Sequence, residues 1–400
     1  MAVALVAFEI MAQALFLGRE GVLLSQYEPG GRAQAENRLD TFDRRVGLPG
    51  IRLHPLFGWA NSPGTPGYNR QGFLSDVGFP LAASEDDFVV GVFGGSVASN
   101  FWSHNSAHGV FQTALRDAVG DLEGRRIVLL NFAKEAYRQP QQLAVLNYFA
   151  VSGQRFDLVL NIEGYNEITG GWANSINGVD MAMPVASLLF EFAQLTGADG
   201  LGAASANALT VRNLQARATE QTLASAWIAL LGLSKIVELA GSTGPTAAEN
   251  TYDSSSNLLF IGQSDVTNDR GKYLDLFVEY WRRATVLTAS AAETTGASYV
   301  QVLQPNQYVA TSRVFGAEER EIAFTDRNAY DGLINDAYKR LRQEVTRLPL
   351  GVTVVDASAS LDDIPDIVYA DNCCHLNDRG RDALARFVAE SVAEQLKRDR

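Results

Sequence analysis

Three short segments of this chain carry side chains that can take part in covalent acyl chemistry. Ser96 follows a pair of glycines, Asn166 lies in the segment Gly164–Glu167, and His375 lies four residues after Asp371. A serine hydroxyl can attack a carbonyl carbon, a histidine can accept the serine proton, and an amide can donate a hydrogen bond to the resulting oxyanion. Because the segments are far apart in sequence, this chemistry requires a fold that brings them together.

The elements around these segments alternate between strand and helix. Five hydrophobic runs are typical of buried strands: Phe88–Phe93, Arg126–Asn131, Phe156–Ile162, Ser298–Leu303 and Val352–Val355. Helical patterns follow or separate them: Val110–Val119, Gln141–Val151, Tyr273–Thr295, Ala329–Leu348 and Asp378–Lys397. This alternation predicts an α/β protein, a three-layer α/β/α fold around a five-stranded parallel sheet. Such sheets bind ligands at the carboxyl ends of their strands, so the segments after strands one, three and five are expected to meet.

The first two segments each have a second interpretation. Glycines before Ser96 allow a tight turn from strand to helix, where the serine N–H and the positive helix end favour an oxyanion, but small residues also occur in many α/β loops. Asn166 is either an oxyanion donor or a helix cap. Glu163 and Glu167 flank Asn166, and nothing else in the sequence indicates the carboxylate pair of a glycosidase.

His375 is the histidine at the expected topological place, after the fifth strand. A histidine, whose ordinary pKa lies near neutrality, can take the serine proton and return it to the leaving group. Asp371 is the candidate that orients its ring, and Asp378 is a weaker one. The remaining histidines are rivals, and the two that follow Ser96 are expected at the surface: His54, His104 and His108.

Composition excludes several classes of protein. The 400 residues carry a net charge of −13, which argues against nucleic-acid binding because that needs a basic surface. The two cysteines are neighbours, Cys373 and Cys374, so no disulfide framework can form and no zinc-ligand spacing is present. A reduced pair with one thiol packed inward is favoured over a vicinal disulfide. No glycine-rich phosphate motif follows the first strand, so we expect no nucleotide or flavin cofactor. Because no zinc-ligand spacing is present, we also expect no metal.

The chain outside the predicted sheet has three parts. Residues 1–18 are apolar except for Glu9 and Gln13, and they indicate either a membrane anchor or an amphipathic helix, whereas a cleaved signal peptide is poorly supported. Residues 19–85 are rich in Gly, Pro and Arg and predict an irregular extension. Within the domain 86–400, residues 170–270 form a helical insertion, with predicted helices at Met183–Leu195 and Leu209–Ala240. The insertion either caps the site, binds a partner or has no function of its own.

Four blocks of the chain resemble the SGNH (GDSL-like) hydrolase superfamily: VFGGSVA, NFAKEAYRQPQQL, GYNE and DNCCHLNDRG. The resemblance covers about residues 86–170 and 270–400. It implies that Ser96 is the nucleophile and His375 its base, and that the backbone N–H groups of Ser96 and Ala136 and the amide of Asn166 form the oxyanion hole. Asp371 is then the acid that completes a catalytic triad.

Three positions depart from the family pattern. Gly95 stands where many members have Asp, and Ala136 stands where members have Gly. The family's Asp lies three residues before the histidine, a position held here by Asn372. A bulge at the two cysteines would restore the contact of Asp371 with His375. Otherwise a Ser–His dyad would operate, or the backbone or Asn372 would orient the histidine.

The resemblance implies a serine esterase that removes acetyl or another short acyl group from a carbohydrate or small ester. A polysaccharide O-acetyltransferase and a non-catalytic carbohydrate-binding protein on the same fold are the alternatives. The segments HPLFGW and YNRQGF are similar to those of bacterial members with an N-terminal anchor and an extracytoplasmic catalytic domain. Together with residues 1–18 they predict a membrane-anchored protein of the cell envelope, the alternative being a cytoplasmic one. The oligomeric state stays open.

Overall fold

The structure is a computed structural model that describes residues 50–120, 122, 124–195, 233, 235, 266–324 and 331–398. The predicted apolar segment 1–18, residues 19–49 of the extension and nearly all of the predicted helix Leu209–Ala240 lie outside the described residues. Among the helices that are described, none combines the length and apolar character needed to cross a bilayer.

The sheet and the candidate site belong to one compact unit, His54–Leu189 with Phe260–Arg400. The rest of the chain is described only at residues 50–53, 190–195, 233 and 235. The fold is therefore described here for the unit that carries the sheet.

Five parallel strands form the central sheet, which confirms the predicted α/β fold class. Two short strands precede them along the chain: β1 (Ile51–His54) and β2 (Gly58–Asn61). The sheet strands are β3 (Asp87–Gly94), β4 (Arg126–Asn131), β5 (Leu158–Glu163), β6 (Ser298–Leu303) and β7 (Thr353–Asp356). Their order across the sheet is β4-β3-β5-β6-β7. From β3 the chain goes to β4 on one side, and from β4 it crosses back to β5 on the other side of β3. Open sheets bind ligands at such a switch point.

Nine helices are described: α1 (Ser96–His108), α2 (Val110–Val119), α3 (Gln141–Val151), α4 (Tyr165–Ile176), α5 (Ala186–Leu195), α6 (Arg270–Thr294), α7 (Ala317–Ala323), α8 (Asp331–Val345) and α9 (Asp378–Arg398). The elements α2, α3, β4 and β6 begin and end at the predicted residues. The sequence patterns did not predict α7 or the extent of α1 and α4. Those two helices begin directly after strands and carry site residues in their first turns.

The helices cover both faces of the sheet, which gives the predicted three layers. On one face, Val90 and Val92 of β3 pack with α1, α2 and α9. On the other face, α6 and α8 bury aromatic side chains such as Trp281 and Tyr338 against Leu303 of β6. All residues of β3 and β5 are buried, as expected for central strands covered on both sides. These strands are rigid supports for the loops at their carboxyl ends.

The segment between β2 and β3 is irregular, and it is anchored by aromatic packing. Phe73 and Phe79 lie against Phe132 and Phe149, with ring centroids 4.4 to 6.2 Å apart. Aromatic side chains bury large apolar areas and dominate the energetics of such contacts. The segment is thereby fixed beside the loop that leaves β4.

Candidate active site

Ser96 lies at the carboxyl end of β3, in the first turn of α1. Gly94 takes a φ of 137°, and a Cβ there would collide with the carbonyl oxygen of Ile162 on β5 and with Ala98. Glycine is therefore required for the chain to leave the strand and start the helix in so short a turn. Ser96 is half-buried, and its backbone N–H belongs to the helix-terminal donors that have no intrahelical partner.

The space beside Gly95 is filled by the side chain of Asn166. A Cβ on Gly95 would overlap Asn166 Nδ2 and lie 3.2 Å from the carbonyl oxygen of Tyr137. Asn166 Nδ2 donates a hydrogen bond to that same oxygen over 3.1 Å. Since an amide nitrogen carries two N–H groups, a second donor remains for another acceptor. The absence of a side chain at Gly95 thus places an amide donor next to the serine.

Ala136 is the one non-glycine position with a positive φ, 60°, in the described parts of the chain. Its loop follows β4 and is tied to β3, since Lys134 N–H donates to the carbonyl of Gly94 over 3.2 Å. The left-handed region is disfavoured for alanine and is readily adopted by glycine, the residue that the family pattern has here. The backbone at Ala136 therefore has a conformation typical of glycine. Ala136 directly precedes Tyr137, whose carbonyl oxygen accepts the hydrogen bond from Asn166.

His375 joins the serine to a carboxylate. His375 Nε2 lies 2.7 Å from Ser96 Oγ, and His375 Nδ1 lies 2.5 Å from Asp371 Oδ2. When Nδ1–H donates to the carboxylate, Nε2 is the acceptor for the serine hydroxyl. This continuous chain of hydrogen bonds has the geometry of a general base beside a nucleophile.

A tight turn explains how Asp371 reaches the ring across four residues. Asp371 Oδ1 accepts hydrogen bonds from three successive backbone N–H groups. They belong to Cys373 at 2.9 Å, Cys374 at 3.1 Å and His375 at 3.2 Å. These bonds curl the backbone around one carboxylate oxygen and leave the other facing the imidazole. The extra residue relative to the family pattern is taken up within this turn.

The ionisation of Asp371 is determined by the same contacts. Burial alone would raise the pKa of this carboxyl group. The hydrogen bond and charge of His375, with the backbone N–H groups of Cys373 and His375, outweigh burial and hold the pKa well below its usual range. Asp371 is therefore ionised at neutral pH, and its negative charge faces the imidazole of His375.

Side chains from the loop after β6 fix the turn from outside. Three consecutive residues donate to its carbonyl groups: Asn306 to Cys373 over 3.3 Å, Gln307 to Asp371 over 3.2 Å and Tyr308 to Asn372 over 2.8 Å. All three donors are buried, so these bonds are shielded from water. Sequence reasoning missed these residues, because nothing in their local pattern indicates which loop they contact.

The two glutamates that flank Asn166 lie inside the protein. Glu167 accepts hydrogen bonds from Gly164 N–H over 2.7 Å and from Gln142 Nε2 over 3.0 Å, which closes the first turn of α4. Glu163 accepts from Trp281 Nε1 over 2.5 Å and from Gln301 Nε2 over 2.6 Å. Burial raises the pKa of both carboxyl groups, and their mutual repulsion raises that of Glu163 further. They support the loop that carries Asn166.

The Ala136 loop is held by the region around β2. Lys134, which is buried, donates to Asn61 Oδ1 over 2.5 Å and to Glu135 Oε2 over 2.6 Å. The Tyr137 hydroxyl donates to the carbonyl of Trp59. These contacts bracket Ala136 on both sides, so the segment before the sheet contributes to the position of its backbone.

The other candidate residues lie apart from the serine. The expectation of a surface position is wrong for His104, which is 6% exposed and bonded through Nε2 to Asp382 Oδ1 over 2.6 Å. His104 Nδ1 also lies 3.6 Å from Asp378, so Asp378 faces His104. His54 stacks on Phe57 with ring centroids 3.9 Å apart. Burial against α9 made His104 a core residue, and sequence periodicity alone did not reveal that.

One group within the described ranges offers ligand atoms for a metal ion. Cys373, Cys374 and His375 each contribute one such atom, and these atoms lie within 4.8 Å of one another. Both ring nitrogens of His375 already take part in hydrogen bonds. A metal bound through this histidine would therefore displace either Ser96 or Asp371.

Comparisons with known proteins add a distant structural similarity. No protein-family model matches the sequence, and no curated protein matches it. Among solved structures, the chain is similar to an acetyl xylan esterase with 11% sequence identity and a TM-score of 0.32, over 76% of this chain and 98% of that chain.

Proposed function

We propose that this protein is an SGNH-type serine esterase that removes acetyl or another short acyl group from a carbohydrate or small ester. The observation that carries the proposal is the unbroken hydrogen-bond chain from Asp371 through His375 to Ser96. It lies at the carboxyl ends of the central strands, where an α/β sheet binds its ligands. Ser96, Asn166 and His375 are all half-buried, so part of each residue faces the solvent from which an ester would approach.

In the first step Ser96 Oγ attacks the ester carbonyl carbon while His375 Nε2 takes the hydroxyl proton. The ionised Asp371 stabilises the imidazolium and keeps the ring in the required orientation. The carbonyl oxygen becomes an oxyanion, for which the backbone N–H groups of Ser96 and Ala136 and the Asn166 amide are the proposed donors. Loss of one such donor typically costs about 3 kcal/mol of transition-state stabilisation.

In the second step the tetrahedral intermediate collapses and the alcohol leaves. His375 gives its proton to the departing alkoxide, and the acyl group stays on Ser96 as an ester. The same imidazole then removes a proton from a water molecule, which attacks the acyl-enzyme and releases the carboxylic acid. Formation of the acyl-enzyme and its hydrolysis both require only the residues of the hydrogen-bond chain and the oxyanion donors.

Hydrolysis of p-nitrophenyl acetate by purified protein tests the proposal. We expect the variants Ser96→Ala and His375→Ala to lower kcat by about ten-thousand-fold or more. Ser103→Ala is the matched control, because Ser103 lies on the same helix and is exposed. A series of longer p-nitrophenyl esters and an acetylated sugar then defines the acyl length and the alcohol.

Covalent labelling with a fluorophosphonate locates the nucleophile independently of the substrate. The label is expected on the peptide that contains Ser96, in wild type and in Ser103→Ala but not in Ser96→Ala. A folded wild-type protein that neither hydrolyses these esters nor takes up the label would contradict the proposed esterase.

A further inference from the structure

The turn between Asp371 and His375 contains a pair of thiols that the proposed hydrolysis does not use. Cys373 and Cys374 are free cysteines, and their Sγ atoms lie 2.9 Å apart. Cys374 is 1% exposed and Cys373 is half-buried. The site employs the backbone N–H groups of both residues, so their side chains are available for other chemistry.

The two thiols differ in their tendency to ionise. A hydrogen bond from Cys374, the charge of His375 and a hydrogen bond from Tyr165 lower the pKa of Cys373, and together they outweigh burial and the negative charge of Asp371, which raise it. Burial raises the pKa of Cys374, which therefore keeps its proton. A more accessible thiol with thiolate character beside a protonated partner is the arrangement of an attacking and a resolving cysteine.

We infer that Cys373 and Cys374 form a reversible oxidation site whose oxidant is a hydroperoxide and whose product is a vicinal disulfide. The Cys373 thiolate attacks one oxygen of hydrogen peroxide, which breaks the O–O bond, gives a sulfenic acid and releases hydroxide. The Cys374 sulfur then attacks the sulfenic sulfur. The S–O bond breaks, and the Cys374 proton and the departing hydroxide form water. In total two thiols lose two electrons and two protons, and one peroxide becomes two water molecules.

Adjacency makes this bond easy to reduce. Neighbouring Cα atoms are about 3.8 Å apart, whereas most disulfides join Cα atoms about 4.4 to 6.8 Å apart. Disulfides outside the preferred geometry are strained and have more oxidising potentials. A dithiol reductant is therefore expected to restore the two thiols, which makes the site a reversible one.

Oxidation of this pair also alters the catalytic turn. The new ring would contain the peptide bond between Cys373 and Cys374, whose N–H donates to Asp371 Oδ1 over 3.1 Å. Rotation of that peptide removes a donor from Asp371 and moves the carboxylate relative to His375. Displacements of about 1 Å at a catalytic group can cost about a hundredfold in rate. We expect oxidised protein to hydrolyse esters at least about tenfold more slowly and to recover its activity after reduction. This expectation rests on the proposed function.

Thiol counting and peptide mass spectrometry test the oxidation itself, without any measurement of hydrolysis. Full-length protein is treated with hydrogen peroxide, unfolded, and titrated with 5,5′-dithiobis-(2-nitrobenzoate). Both thiols should disappear together, the peptide with Cys373 and Cys374 should lose two hydrogens, and dithiothreitol should reverse the change. Retention of both thiols, addition of oxygen without a link, or a bond between two protein molecules would overturn the inference.

Single variants separate the two roles. In Cys374→Ser, or Cys374→Ala if the serine variant does not fold, Cys373 should stop at a sulfenic acid that dimedone traps. In Cys373→Ser the remaining thiol should persist, and hydrolysis should no longer respond to peroxide and dithiothreitol. A disulfide that forms in wild type without changing ester turnover would overturn the link to the catalytic turn. If wild type hydrolyses no ester at all, the proposed function fails while the thiol count still decides the oxidation site.

Discussion

Asp371 Oδ2 lies 2.5 Å from His375 Nδ1, although the two residues are four positions apart. The contact exists because the other carboxylate oxygen, Oδ1, accepts three successive backbone N–H groups and so winds the turn around itself. One side chain thus shapes the loop and also faces the imidazole.

Replacement of Asp371 by Asn separates these two roles. The Asn oxygen can still accept the backbone N–H groups, but its NH₂ group would face His375 Nδ1 and favour the tautomer that carries its proton on Nε2. That tautomer cannot accept the Ser96 proton. We expect kcat for p-nitrophenyl acetate to fall by about a thousandfold or more, with a smaller change in KM.

The matched control for this change is Asn372→Asp, which supplies a carboxylate at the spacing usual in the family. Asn372 is exposed, and Asp371 already occupies Nδ1, so activity should stay near wild type. The double variant Asp371→Asn, Asn372→Asp should remain as slow as Asp371→Asn. Recovery of activity in the double variant would show that a carboxylate at position 372 can also reach His375, whereas full activity in Asp371→Asn alone would show that Asp371 is not the required partner.

The left-handed backbone at Ala136 makes a prediction about stability. Ala136→Gly removes the cost of a Cβ at a φ of 60° and should raise the free energy of unfolding by about 1 kcal/mol while activity is retained. Ala136→Val adds a β-branched side chain at that φ, and we expect a lower free energy of unfolding and a lower kcat. Urea unfolding and ester hydrolysis measure both effects. A more stable Val variant would contradict this account of the loop.

The lack of space at Gly95 makes a prediction about the oxyanion donor. In Gly95→Ala the new Cβ would push Asn166 Nδ2 away from the serine, so we expect about a hundredfold loss in kcat, comparable with that of Asn166→Ala. Gly78→Ala is the control, since its nearest neighbour would be 3.8 Å away. Because the two changes affect the same donor, their costs should not add in the double variant. If the two losses in kcat add fully, Gly95 and Asn166 act independently of each other.

The buried carboxyl of Glu163 makes a prediction about pH. Burial and the charge of Glu167 raise its pKa above the usual range, so the native state keeps a proton that the unfolded state has lost above about pH 4.3. Stability therefore falls as pH rises from there until Glu163 ionises in the native protein, by up to about 1.4 kcal/mol per pH unit for one proton. Glu163→Gln removes this slope.

Urea unfolding at pH 5.5 and pH 7.5 provides the measurement. The Gln oxygen can keep the bonds from Trp281 and Gln301, so the variant should gain stability relative to wild type as the pH is raised. An equal difference between the two proteins at both pH values would argue that Glu163 ionises at its ordinary pKa.

The sequence by itself determined the strands, most of the helices and the places of Ser96, Asn166 and His375 after strands one, three and five. It could do so because these are local properties. Runs of buried β-branched residues indicate central strands, and glycines mark the points where a strand turns sharply into a helix. The chain order of the segments and the geometry of open parallel sheets then indicated that the three segments meet at the same edge of the sheet.

Only the tertiary structure decided which side chains touch. The bond of Asp371 to His375 depends on a turn curled by its own carboxylate, and the burial of His104 depends on packing between α1 and α9. The left-handed path at Ala136 is held by residues as distant as Asn61. The contacts of His104 with Asp382 and of Lys134 with Asn61 join positions tens to hundreds of residues apart. Their energies depend on distances that chain folding sets, and no local pattern of residue types encodes those distances.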